Sequence, residues 1–114
     1  MVIVRDNISI DELKKMSEKM FGGLVKAVVD IEREIMVVDA ELHADEEILL
    51  LDDESQQRSL WGINIYPDRI GNENWIEFDS MINVRPSWGN KSRGVEDLKI
   101  QEKIKAIVSS LVKK

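Results

Sequence analysis

Cysteine is absent from this sequence, which excludes disulfide scaffolds and thiolate metal sites and fits a reducing, cytoplasmic setting. Histidine occurs once, as His43, so a nucleophilic triad would hang on that residue alone, and neither Ser80 nor Ser92 sits in a G-x-S-x-G elbow. Apolar runs such as IMVV (residues 35–38) and ILLL (residues 48–51) fall far short of the roughly 20 residues of a membrane span. An acid at Asp6 comes too early for a secretory signal. Metal-binding spacings are missing too: there is no H-E-x-x-H, no H-x-H and no D-x-D-x-D-G. No motif names a reaction or implies a cofactor.

What is there suits one domain over residues 1–114, long enough to bury a core without staples. Sixteen basic and 22 acidic side chains give a net charge of −6, which opposes nonspecific binding to a phosphate backbone. The three tryptophans raise the opposite possibility, with Trp75 and Trp88 as stacking platforms, but no RNP-like stretch accompanies them. The plainer reading is aromatics sealing the ends of a sheet. The charge is also uneven. Residues 43–54 (HADEEILLLDDE) hold six carboxylates and no Lys or Arg, whereas residues 85–93 (RPSWGNKSR) hold Arg85, Lys91 and Arg93 and no acid. These two segments are suited to neutralise each other, within one molecule or between two copies.

Periodicity predicts an α+β fold: an antiparallel sheet of four to five strands with about three helices on one face. Residues 1–4 suit a short edge strand. Ser9-Ile10-Asp11-Glu12 is a capping box, with Ile8 and Leu13 as its hydrophobic staple, opening a helix over about 10–20 that Gly22 and Gly23 stop. Two alternating runs over 24–42 predict a hairpin in which Val25, Ala27 and Val29 share one face and Lys26, Val28 and Asp30 the other. Residues 43–54 suit a strand or a helix; acids early in the segment favour helix. Residues 60–66 form a strand ended by Pro67, and Asp97 caps a last helix carrying Ile100, Ile104, Ile107, Val108 and Leu111.

The stretch richest in chemistry is 75–94. Ile76, Phe78, Ser80, Ile82 and Val84 alternate with Glu77, Asp79, Met81, Asn83 and Arg85, which predicts a strand pairing with 60–66 and showing a row of polar groups to solvent. The following loop, with Gly89, Asn90, Ser92 and Gly94, has the composition of an anion-holding nest. Glu96 and Asp97, however, are placed to fill the helix start with the protein's own carboxylates. The leading expectation is a small binding or interaction module whose Asn83, Arg85, Asn90, Ser92 and Arg93, with Glu77 and Asp79, recognise an anionic group on a small ligand or protein. A metal-assisted hydrolase is the alternative, with His43, Asp45, Glu77 and Asp79 as candidate ligands and Arg85 stabilising developing charge. A structural subunit that self-associates as a homo-oligomer is the third.

The succession VKAVVDIE, ELHADEE, LLLDDESQQ, LWGINIYP and IEFDSMINVRPSWGNKSRGVED resembles a family of short archaeal and bacterial proteins catalogued only as a domain of unknown function. Near Glu54, where that resemblance implies a glycine, this chain carries the acid. The resemblance implies one domain and brings no reaction, cofactor or partner.

Overall fold

The computed structural model describes residues 1–114. In chain order the regular elements are β1 (Val2–Val4), β2 (Ile8–Ser9), α1 (Ile10–Ser17), β3 (Val25–Asp30), β4 (Ile35–Val38), α2 (His43–Asp52), β5 (Leu60–Ile65), β6 (Ile76–Glu77), α3 (Leu98–Leu111) and β7 (Val112–Lys113). The first, third, fourth, fifth and sixth of the strands make one antiparallel sheet in the order β1-β4-β3-β5-β6, and the two short strands β2 and β7 pair in parallel, tying the ends of the chain together. No helix is long and apolar enough to cross a membrane.

Local chemistry sets most of these elements. The Ser9 side chain accepts from the Glu12 N–H at 3.0 Å while the Glu12 carboxylate reaches back to the Ser9 N–H, so the capping box forms in full. Gly22 and Gly23 then take left-handed angles that most residues avoid. Between β3 and β4 no Asn-Gly turn is needed, because Asp30 Oδ1 accepts the N–H groups of Glu32 and Arg33 at 2.9 and 3.0 Å. The hairpin pairs Val29 with Met36 and Asp30 with Ile35.

Residues 43–54 settle as helix, and α2 ends in a Schellman motif. The Ser55 N–H bonds to Leu50 O at 2.9 Å and the Glu54 N–H to Leu51 O at 3.1 Å. This places Glu54 at φ 76, where glycine is favoured. An L-residue pays about 1–2 kcal/mol for that conformation, and the Glu54 side chain is exposed. Glu54→Gly is therefore expected to raise stability by about 1 kcal/mol after glycine's entropy is deducted. Urea denaturation checks this; a loss of stability would show that the strain is absent.

Two expectations are corrected. Helices cover both faces of the sheet, not one: Leu13 of α1 and Ile104, Ile107, Val108 and Leu111 of α3 pack with Val25, Ala27, Val29 and Ile63, whereas Leu50 of α2 packs with Val28, Val37 and Leu60 on the other side. The all-apolar β4 run, buried at every residue, is the consequence of that double cover. Nor do residues 75–85 form one long strand. Only Ile76 and Glu77 pair with β5, and a single turn of 3₁₀ helix follows over Met81–Asn83.

The reason lies at Gly62. Ser80 packs so tightly over it that a Cβ there would come within 2.5 Å of the Ser80 Cβ and Oγ. Phe78 joins the core on one side of the sheet and Ile82 the core on the other, so the chain crosses the sheet edge between them. Beyond the two pairs made by β6, the edge of β5 is completed by a side chain: Asn83 Oδ1 accepts from the Gly62 N–H at 2.8 Å and its Nδ2 donates to Gly62 O at 2.9 Å. The polar row required by alternation therefore does not exist; Asn83 is fully buried and Arg85 is 8% exposed.

Candidate functional site

After this crossover the chain makes a tight four-residue loop. The N–H of Arg85 bonds to Asn90 O at 2.7 Å and the N–H of Asn90 to Arg85 O at 3.2 Å, while Pro86–Trp88 form a single turn ended by Gly89 at φ 86. Asn90 fixes the return. Its Nδ2 donates to Asn83 O, Ser92 O and Gly94 O at 2.7, 3.1 and 2.8 Å, and its Oδ1 accepts the Glu96 N–H at 2.9 Å. The loop is thereby locked onto the start of α3.

That frame holds Arg85 against the first residues of β5. Its Nη2 donates to Leu60 O at 2.6 Å and pairs with Glu47 of α2 at 3.3 Å, one ion pair joining the basic loop to the acidic segment. Burial lowers the pKa of this guanidinium and the Glu47 charge opposes the shift; an arginine keeps its charge under such conditions. The rings of Trp61 and Trp88 lie 5.1 and 5.5 Å from its central carbon.

A cavity of about 470 Å³ opens beside this cluster, lined by Arg58, Trp61, Arg85, Trp88, Gly89, Asn90, Glu96, Asp97 and Ile100. Two of its lining side chains are more than nine-tenths buried and carry a donor with no acceptor: Arg85 Nη1 and Trp61 Nε1. Buried donors rarely stay unpaired, because each forfeits its bond to water. Arg58 is exposed. Glu96 sits on the same wall, its Oε2 accepting the N–H groups of Lys91 and Ser92 at 2.7 and 2.8 Å, which hold its carboxyl below the usual range. Asp97 Oδ1 caps α3 by accepting the Lys99 N–H at 2.8 Å.

Against this geometry the residues singled out from sequence separate. Arg85 and Asn90 line the cavity; Asn83, Ser92, Arg93, Glu77 and Asp79 do not. Asn83 serves the sheet edge and also donates to Arg93 O at 2.9 Å. Arg93 pairs with Asp79 at 2.6 Å, and Glu77 accepts from Asn64 Nδ2 at 2.8 Å and the Tyr66 hydroxyl at 3.0 Å. The anion nest of the loop exists, and Glu96 fills it.

His43, Asp45, Glu77 and Asp79 do not converge, since no three His, Asp or Glu side chains come close enough to share an ion. His43 lies buried at the start of α2 with Nε2 2.7 Å from Ile63 O, so that nitrogen donates; burial pulls its pKa down and keeps the ring neutral. Trp75 and Trp88 line different cavities and make no shared platform. Arg58 and the indole donor of Trp61 had no local signal: one reads as a connector residue, the other as core.

No curated protein and no solved structure matches the chain. One family does, described as "Protein of unknown function (DUF5674)", and its match runs over residues 2–111. The resemblance to a domain of unknown function carried by the VKAVVDIE to GVED succession is thus borne out, and the chain belongs to the DUF5674 family.

Proposed function

We propose that this protein is a single-domain, cytoplasmic binding module that receives an anionic group of a small ligand in the cavity between Arg85 and the start of α3. The observation that carries the reading is the pair of acceptor-less donors, Arg85 Nη1 and Trp61 Nε1, sealed beneath the surface of two residues that line one cavity. A carboxylate or phosphate oxygen is the partner both lack, and the planar guanidinium is the group best shaped to receive one. Arg58 brings a second positive charge to the same cavity. Trp88, 54% exposed on its single turn, covers the guanidinium and is the side chain a ligand would displace. A volume of about 470 Å³ falls within the usual range of small-molecule sites. The absence of cysteine supports the cytoplasmic placement.

A thermal-shift series with acetate, citrate, inorganic phosphate, sugar phosphates and nucleoside monophosphates tests this. A probe at 100 times its dissociation constant adds about 2.7 kcal/mol of stability and raises the melting temperature accordingly. Arg58→Ala removes an exposed side chain and is expected to leave the unliganded melting temperature within about 2 °C of wild type, since such surface changes stay within about 0.5 kcal/mol. The same variant is expected to weaken the responding probe at least tenfold. No response to any anionic probe, or an affinity unchanged from wild type in both Arg58→Ala and Trp88→Ala, would remove the proposal.

A further inference from the structure

We infer that the ligand is a zwitterion, a small molecule bearing a cationic amine as well as the anionic group; this rests on the anionic-group reading above. The cavity carries charges of both signs. Arg58 and Arg85 stand on it, and so do Glu96 and Asp97. Each of these carboxylates uses one oxygen for the fold: Glu96 Oε2 holds the two loop N–H groups and Asp97 Oδ1 holds the first turn of α3. The Asp97 Oδ2 atom makes no hydrogen bond within the chain, and Glu96, although the Ser92 side chain also stabilises its carboxylate, stays exposed on the cavity rim. The backbone N–H groups on Glu96 keep it ionised at neutral pH.

Two fixed carboxylates beside the guanidiniums change what the cavity accepts. Like charges placed side by side repel even at an exposed rim such as the one formed by Glu96 and Asp97, so an anion with several negative charges is disfavoured there. A single anionic group with an amine in the same molecule satisfies both sides, its anion meeting the unpaired donors once Trp88 moves aside and its N–H groups meeting the exposed Asp97 and Glu96 carboxylates. A neutral ligand also leaves the charge of the site unchanged. Ile100 and the Trp61 and Trp88 rings supply apolar surface for the body that joins the two groups.

The experiment is a binding titration of the full chain, followed by tryptophan fluorescence and by amide chemical shifts. It uses free α-amino acids, ω-amino acids of increasing length and dipeptides, each beside its N-acetylated and its C-amidated analogue. The expected result is one charge separation at which the zwitterion binds at least tenfold more tightly than both single-charge analogues. In Asp97→Asn, which keeps the cap of α3, that preference over the N-acetylated analogue is expected to fall at least threefold. N-acetylated forms binding as well as the free zwitterions would overturn the inference while leaving the anionic-group reading intact. If neither zwitterions nor the anions of the previous series bind, both readings fall together.

Discussion

Glu46→Gln is expected to flatten a loss of stability that the wild-type protein shows as pH rises through neutrality. Glu46 lies on the inner face of α2, fully buried, and neither carboxyl oxygen makes a hydrogen bond of good geometry, the Ala40 N–H being the nearest backbone donor to act on it. Burial pushes its pKa up to about 10, against the opposing pull of Lys26 on β3, of the Ala40 backbone N–H and of the α-amino group of Met1, and with a small contribution from Asp39. In the unfolded chain the same carboxyl ionises near 4.5. Between those two values the folded state holds a proton that the unfolded state has released. Unfolding therefore gives up a proton, and stability falls by up to about 1.4 kcal/mol per pH unit.

His43, one helical turn away, works in the other direction. Its folded pKa is depressed, so its contribution is present above its unfolded value of about 6.5 and is lost as pH drops below it. The two slopes oppose each other only on the acid side, and measurements from pH 7 to pH 9 isolate Glu46. Urea denaturation at three pH values across that span is expected to show wild type losing on the order of 2 kcal/mol that Glu46→Gln retains. Glu46→Leu, with no polar atom to bury, is expected to exceed wild type at pH 8 by a similar amount. Parallel pH profiles for wild type and both variants would show that the carboxyl is solvated or paired in solution.

The same residue marks a limit on what the sequence tells. The early acids of residues 43–54 argue for a helix start and say nothing of burial, yet helical spacing sets Glu46 on one face with His43 and Leu50, the buried residues of α2. The elements themselves were legible wherever a local device sets them: the Ser9–Glu12 box, the glycines after α1, the alternation of β3 and Asp97 at the head of α3 all act within a few residues. Residues 76–85 misled for one reason. Alternation equates polar with exposed, yet Asn83 and Arg85 are buried with bonds to Gly62, Arg93, Leu60 and Glu47. Those partners lie between 10 and 38 residues away in the chain, beyond any window in which a period can be read. The helices on both faces had a signal in IMVV, since a strand apolar at every position needs cover on both sides. The cavity had none, because Arg58 and Trp61 meet Arg85 and Glu96 only through the crossover at Gly62.

That crossover is where the largest loss of stability from a single substitution is expected. Asn83→Ala removes the side chain that completes the edge of β5, leaving the Gly62 N–H, Gly62 O and Arg93 O without the bonds they make at 2.8, 2.9 and 2.9 Å. A buried group left unpaired costs about 1–3 kcal/mol, so the variant is expected to lose about 3–5 kcal/mol after partial relaxation. Gly62→Ala attacks the same joint from the other side. Its Cβ would meet the Ser80 Cβ, which is attached directly to the backbone and cannot rotate away, and about 3 kcal/mol is expected from that overpacking. Because both changes loosen one contact, the double variant is expected to lose clearly less than the two losses added together. Chemical denaturation of the three variants gives the cycle, and hydrogen exchange at the Gly62 amide reports the joint itself. Strict additivity, or an Asn83→Ala loss below about 1 kcal/mol, would mean that the Asn83 amide does not carry the edge. The site depends on the same joint: Asn90 donates to Asn83 O, and Arg85 follows Asn83 by two residues. An Asn83→Ala protein that still folds is therefore expected to lose its response to anionic probes even though Asn83 does not line the cavity.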